Sequence, residues 1–248
     1  MNKFLFSILT SLLLSSCMIG PPPQPDRTPP GGEALRIAQD RISAIMVTDT
    51  ADLGSWIDSG YSPANAPKST DAGTGCPITA DGYFLTADHV IKNASKKTTH
   101  VIYGRGYDRK TATARVIWRD TKNDLALIHA DFSTPRYYRF TPPSISLPEG
   151  TPVFHGGLTT GLKPLYGTLS STIPAQSMIS SAQKFIIDIP LQPGDSGGPI
   201  LDARANLIGV NSSVEFLIPM ETPIFTNSHG VRPNIAKLMK IIAQDRRR

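Results

Sequence analysis

Between residues 75 and 210 the hydrophobic positions come in short runs, at 75–78, 83–87, 99–103, 114–118, 125–129, 184–189 and 207–210. Runs of this length, bounded by glycine, proline and polar clusters, predict strands and not helices. Asp81-Gly82, between the first two, is a hairpin signal. Many short strands separated by such turns predict a sandwich or barrels. Two stretches carry a different period. In 33–46, Leu35, Ala38, Ile42 and Ile45 are close to helical spacing, which predicts a short amphipathic helix. In 233–243, Ile235, Leu238, Met239 and Ile242 repeat the pattern behind Pro233-Asn234, which predicts a C-terminal helix. The stretch 49–72, rich in Ser, Pro, Asp and Gly, reads as irregular. There is no internal repeat.

The N-terminus stands apart. Lys3 precedes an apolar stretch over 4–14, too short to span a bilayer and built like the core of an export signal. Leu14-Ser15-Ser16-Cys17 follows, and small residues ahead of a cysteine at this point resemble the lipobox of bacterial lipoproteins. That resemblance makes 1–16 a signal peptide and Cys17 a diacylglycerol-bearing first residue. Several acyl chains on one residue meet the requirement for stable anchoring. The plainer alternative is a secretory signal with an incidental cysteine. Met18, being no aspartate, points by the same resemblance to the outer membrane. Residues 17–32 hold Pro21-Pro22-Pro23-Gln24-Pro25 and Pro29-Pro30-Gly31-Gly32, an extended tether with no packed core.

Composition narrows little. The 22 prolines and 20 glycines favour a loop-rich β architecture, and the 248 residues allow a sizeable core. A net charge of +5, with Arg246-Arg247-Arg248 as the densest basic run, reads as a solvated tail and does not call for nucleic acid. With Cys17 lipidated, Cys76 has no partner and reads as a small buried hydrophobe. No metal-ligand spacing and no cofactor motif occur.

Candidate chemistry lies in three segments. In Gly194-Asp195-Ser196-Gly197-Gly198-Pro199 a serine sits among glycines. A hydroxyl is a weak nucleophile that needs an adjacent base, and a developing oxyanion needs unobstructed backbone N–H donors. Leu85-Thr86-Ala87-Asp88-His89-Val90 places a histidine just past a strand. Asn123-Asp124-Leu125-Ala126-Leu127-Ile128 places an aspartate at the mouth of one, where a carboxylate can fix a histidine tautomer. Gly194-x-Ser196-x-Gly198 also fits the nucleophile elbow of α/β-hydrolases. That fold needs acid and histidine after the serine, and only His229 follows.

The ordered segments TADHV, DLALI and GDSGGP resemble the trypsin-like serine proteases, and their context is most similar to the bacterial HtrA-like branch. The resemblance implies an all-β fold of two antiparallel six-stranded barrels with the active site between them, flanked by short terminal helices. It places a protease domain over 33–248, with barrels at about 70–135 and 145–230 and a C-terminal helix at about 233–244. It also implies His89, Asp124 and Ser196 as catalytic residues, oxyanion donors at the N–H groups of Gly194 and Ser196, and protein or peptide substrates. In relatives, a residue near Ser212 and Ser213 bonds the catalytic aspartate, and that strand pairs with substrate. Departures matter as well. There is no activation junction to supply a partner for Asp195, so that carboxylate is left either with another partner or in solvent. Too few residues follow for the PDZ domains common in HtrA proteins. Pro190 stands where trypsin has aspartate, and Asn211 where glutamate-specific relatives have histidine. A small or medium apolar residue is the remaining expectation at the cleaved position. Oligomeric state is left open.

Other side chains have plainer readings. His100 and His129 read as edge or half-buried strand residues, His155 as a structural loop histidine, and Asp88 as a solvated carboxylate. Function divides two ways: a lipid-anchored endopeptidase, or a silent protease-fold lipoprotein that binds a partner through the same cleft.

Overall fold

The short apolar runs do form strands, in a computed structural model that describes residues 29–49, 53, 69–104, 108–156, 165–177, 181–192, 194–217 and 224–248, with backbone alone for 214–217 and 224–226. Cys17 and the expected signal segment lie outside the described residues. The first sheet contains β1 (Ser43–Thr48), β2 (Asp71–Thr74), β3 (Cys76–Pro77), β4 (Tyr83–Thr86), β5 (Thr98–Tyr103), β6 (Lys110–Asp120) and β7 (Leu125–Ala130), in the order β2-β1-β5-β6-β7-β4-β3. The strands at its two ends, β2 and β3, are separated by Gly75 alone, so one bent strand closes the sheet into a barrel of six. Gly75 N–H donates to Ser43 O at 3.0 Å at the closure.

The second sheet has the order β10-β13-β12-β11-β8-β9. It contains β8 (Pro152–His155), β9 (Leu165–Thr168), β10 (Ala182–Ile187), β11 (Pro199–Asp202), β12 (Leu207–Leu217) and β13 (Ile224–Pro233). An antiparallel bridge between Leu169 and Ile187 joins its two ends. The two-barrel, all-β architecture expected from the sequence is what the chain adopts.

Alternation along the strands explains why several of them are buried at every position. On β4, Phe84 points into the first barrel beside Ile45, Val101 and Ile128, while Leu85 points outward into a second cluster. On β7, Ala126 and Ile128 go inward and Leu125 and Leu127 outward. On β11, Ile200 fills the second barrel with Phe185 and Ile208, while Leu201 joins the outward cluster. That outward cluster lies between the barrels, so strands lining it have two apolar faces. It fixes the cleft in which the candidate residues stand.

Both helices pack on this central cluster. α1 (Gly32–Asp40) contributes Ala34 and Ala38. α2 (Ile235–Asp245) contributes Leu238 and Ile242, and its first turn is capped by Asn234 Oδ1, which accepts Lys237 N–H at 3.0 Å. The helix expected over 33–46 ends at Asp40, and Ser43–Thr48 is a fully buried strand of the first barrel. The first barrel therefore begins well before residue 70. The basic terminus is also not wholly a tail: Arg246 makes a two-pronged ion pair with Asp81, at 2.7 and 2.8 Å.

Candidate active site

His89 lies on a one-turn 3-10 helix, Asp88–Ile91, that follows β4 directly. Asp124 ends the turn between β6 and β7, which is held by Asn123 donating to Asp120 through its N–H at 3.2 Å and its amide at 2.8 Å. Asp124 sits at φ 55°, a region that aspartate tolerates better than most side chains. The twist aims its carboxylate at His89. Oδ1 accepts the His89 backbone N–H at 2.9 Å, and His89 Nδ1 lies 3.1 Å from Oδ1 and 2.9 Å from Oδ2. Carboxylate oxygens only accept, so Nδ1 carries the proton and Nε2 is left facing the cleft. The ring is about half exposed, at 46% of its side-chain surface.

A third donor comes from the other barrel. Ser212 Oγ donates to Asp124 Oδ2 at 2.6 Å. The register between β12 and β13 shifts between Asn211 and Ser213, so Ser212 is the extra residue of a bulge, and the bulge re-aims its side chain. Partial burial alone raises the Asp124 pKa. The hydrogen bonds from the His89 ring, Ser212 and the His89 N–H outweigh it and hold the carboxyl below its ordinary value.

Ser196 stands in a turn gripped from both sides. Thr74 of β2 donates its N–H to Ser196 O and its hydroxyl to Gly194 O, each at 2.8 Å. Asn211 of β12 accepts Gly197 N–H and donates to Gly198 O, again at 2.8 Å. Asp195 N–H donates to Gln192 O at 3.0 Å, and Gly194 between them sits at φ 97°, a conformation in which only glycine is at ease. The N–H groups of Gly194 and Ser196 donate to no other group among the described residues. No hydrogen bond joins Ser196 to the His89 ring, whose described partners are the oxygens of Asp124.

The weaker candidates divide. Ser212 touches Asp124, and Asn211, almost wholly buried, braces the serine turn through its backbone. Pro190 and Ser213 are exposed. Cys76 is buried and unoxidised, its Sγ 3.4 Å from Gly197 O, and burial pushes its thiol pKa well up.

Two plain readings are corrected. Asp88 is not solvated: it is 3% exposed and pairs with Arg119 of β6 through two bonds, 2.5 and 2.9 Å long, which tie down the turn that carries His89. His155 is not a loop residue: it ends β8, wholly buried, with its ring toward Asp195. Neither partner was visible locally. The signal for the second was the aspartate with no activation junction. His129, half-buried on β7, fits its expected place.

This is the frame of a trypsin-like peptidase domain, and the chain belongs to that family, whose sequence model matches residues 73–210. It is 29% identical to a probable periplasmic serine endoprotease, DegP-like, of Ectopseudomonas mendocina (strain ymp), over 63% of this chain and 34% of that one. It is 33% identical to the protein of that description from Chlamydia trachomatis, over 60% of this chain and 30% of the other. The chain spans about a third of the length of these curated relatives. Among solved structures it is similar in fold to Deg5, with TM-score 0.57 and 19% identity over 84% of this chain and 90% of that one. It is also similar to the HtrA-type protease AlgW with a decapeptide, with TM-score 0.59 and 18% identity over 85% and 66%.

Proposed function

We propose that the chain is an exported, lipid-anchored serine endopeptidase in which Ser196 is the nucleophile, His89 the general base and Asp124 its orienting carboxylate. The observation that carries this reading is the His89–Asp124–Ser212 chain of hydrogen bonds, closed across the two barrels beside the Ser196 turn. His89 Nε2 takes the hydroxyl proton of Ser196 as Oγ attacks a peptide carbonyl. The oxyanion that forms is received by the N–H groups of Gly194 and Ser196. His89 then protonates the departing amine. Water, deprotonated by the same ring, attacks the acyl-enzyme and restores Ser196. Asp124 stays ionised throughout and stabilises the imidazolium. The chemistry is complete without metal or organic cofactor.

Substrates are unfolded or flexible segments of proteins outside the cytoplasm, with a small or medium apolar residue ahead of the cut. Pro190 and Asn211 bring no charge to select a basic or acidic one. Ser212 and Ser213 lie midway along β12, the strand along which the substrate pairs. The relatives' description as periplasmic supports export. The Leu14-Ser15-Ser16-Cys17 motif supports anchoring at Cys17, and the proline tether holds the domain off the outer membrane.

The full chain, purified in detergent, should cleave reduced casein, and Ser196→Ala should not. Absence of cleavage at every temperature at which the protein is folded contradicts the enzymatic reading and favours a silent binding module. Mass spectrometry of the mature N-terminal peptide should show acyl mass on Cys17; an unmodified cysteine removes the anchor.

A further inference from the structure

Asp195, next to the nucleophile, faces a side chain that the proposed triad does not use. Asp195 and His155 are both 0% exposed, and His155 Nε2 lies 3.6 Å from Asp195 Oδ1. His155 Nδ1 lies 2.9 Å from Pro199 O. A carbonyl only accepts, so Nδ1 carries a proton and Nε2 is the atom turned to the carboxylate. Nε2 makes no direct hydrogen bond among the described residues and faces Oδ1 across this gap, where a proton between the two buried polar atoms is favoured over two opposed lone pairs. The other carboxylate oxygen, Oδ2, accepts Gln192 N–H at 3.1 Å, and Gln192 O accepts Asp195 N–H at 3.0 Å. Ring, carboxylate and turn thus make one chain of contacts from β8 to Gly194.

The glycine that follows the nucleophile turn fits this arrangement. A Cβ on Gly198 would stand 2.6 Å from His155 Cε1 and 2.8 Å from Asp195 O. The imidazole therefore abuts a position that only glycine leaves open. β8 is itself fixed, since His155 pairs with Ile200 of β11.

We propose that His155 is the positioning residue of the oxyanion turn: its ring holds the Asp195 carboxylate, which holds Gln192, so that the Gly194 N–H stays aimed at the carbonyl oxygen of the substrate. The proposal rests on Ser196 as nucleophile. Without the ring, the buried carboxylate loses the group that faces its Oδ1 and keeps the bond from Gln192 N–H on Oδ2. It then turns outward and takes the Gln192–Asp195 turn with it.

Two variants separate the ring nitrogens. His155→Gln places an amide donor near the Nε2 position, facing Asp195, whereas His155→Asn keeps only the Nδ1-like donor to Pro199 O. His155→Asn should lose about 100-fold in kcat, the size of a lost oxyanion donor, with KM little changed. His155→Gln should retain most of kcat. Asp195→Asn should match His155→Asn, and the double variant should lose no more than either. Equal losses in Gln and Asn variants, wild-type kcat in His155→Asn, or additive losses in the double variant overturn the proposal. A second readout needs no turnover: the Gly194 amide resonance should shift in His155→Asn and Asp195→Asn and stay put in His155→Gln. If it does not move, the proposal fails even should the wild type prove silent. A silent wild type with a moving resonance fails the nucleophile assignment alone.

Discussion

Ser212 Oγ lies 2.6 Å from Asp124 Oδ2, and that hydrogen bond spans the two barrels. It puts the orientation of the His89 ring under the control of a bulge in β12, a strand of the barrel that carries Ser196. A rigid-body shift between the barrels would stretch this bond first, so it reports on their alignment as well as on the carboxylate.

Ser212→Ala should lower kcat about tenfold, the equivalent of roughly 1.4 kcal/mol for one hydrogen bond to a charged group. The pH dependence has a definite sign. Asp124 is held below its ordinary pKa, so its carboxylate is fully present above that ordinary value and is lost as pH falls through the depressed one. Removing a donor to the charged form lets the pKa rise, so the Asp124 carboxyl, followed by NMR, should titrate at higher pH in the variant. An unchanged Asp124 titration contradicts the role given to Ser212.

The Asp88–Arg119 pair should matter to the placement of His89 more than to overall stability. A double-mutant cycle with Asp88→Asn and Arg119→Met should give a coupling of about 1–2 kcal/mol by thermal or urea unfolding. Asp88→Asn should also lower kcat, because the turn that presents the ring loses its tie to β6. A coupling near zero means the two bonds are surface decoration.

A separate acid sensitivity is built into the C-terminal helix. Asp245 accepts Arg115 through bonds of 2.6 and 2.7 Å and the Tyr83 hydroxyl at 2.7 Å. The hydrogen bonds from Arg115 outweigh burial and pull its pKa down to about 2, while burial and the same carboxylate push the Tyr83 phenol up to about 12. A depressed acid stabilises the fold above its unfolded-state pKa and ceases to do so as pH falls through the folded value. That stabilisation, about 2 kcal/mol, should therefore fade between about pH 5 and pH 2. Asp245→Asn should lower the melting temperature at pH 7 by roughly 4–8 °C. The gap between variant and wild type should close towards pH 2. Activity at 25 °C should be unchanged, since Asp245 lies away from the cleft.

What the sequence shows is local. Strands β4, β5 and β7 and helix α2 announce themselves by runs and spacing, and GDSGGP, TADHV and DLALI mark the three candidate residues. β1 was hidden because Ile42 and Ile45 extend the helical spacing of α1, and because a strand buried on both faces has no alternation to detect. β13 was hidden by its buried polar residues, Ser228 and Arg232. The partners of Asp88 and Asp195 lie 31 and 40 positions away along the chain and meet them only through barrel closure. Ser212 could be suspected from relatives, but the bulge that aims it is a property of strand register.

The central claim is that one hydroxyl is made reactive by one imidazole. A fluorophosphonate probe tests it most directly, with the site of attachment read by tandem mass spectrometry. The adduct should fall on Ser196 in the wild-type protein, be lost in His89→Ala although Ser196 remains, and be slowed in Asp124→Asn. Labelling of Ser196 at the same rate with His89 removed, or an adduct on a different residue, would contradict the account.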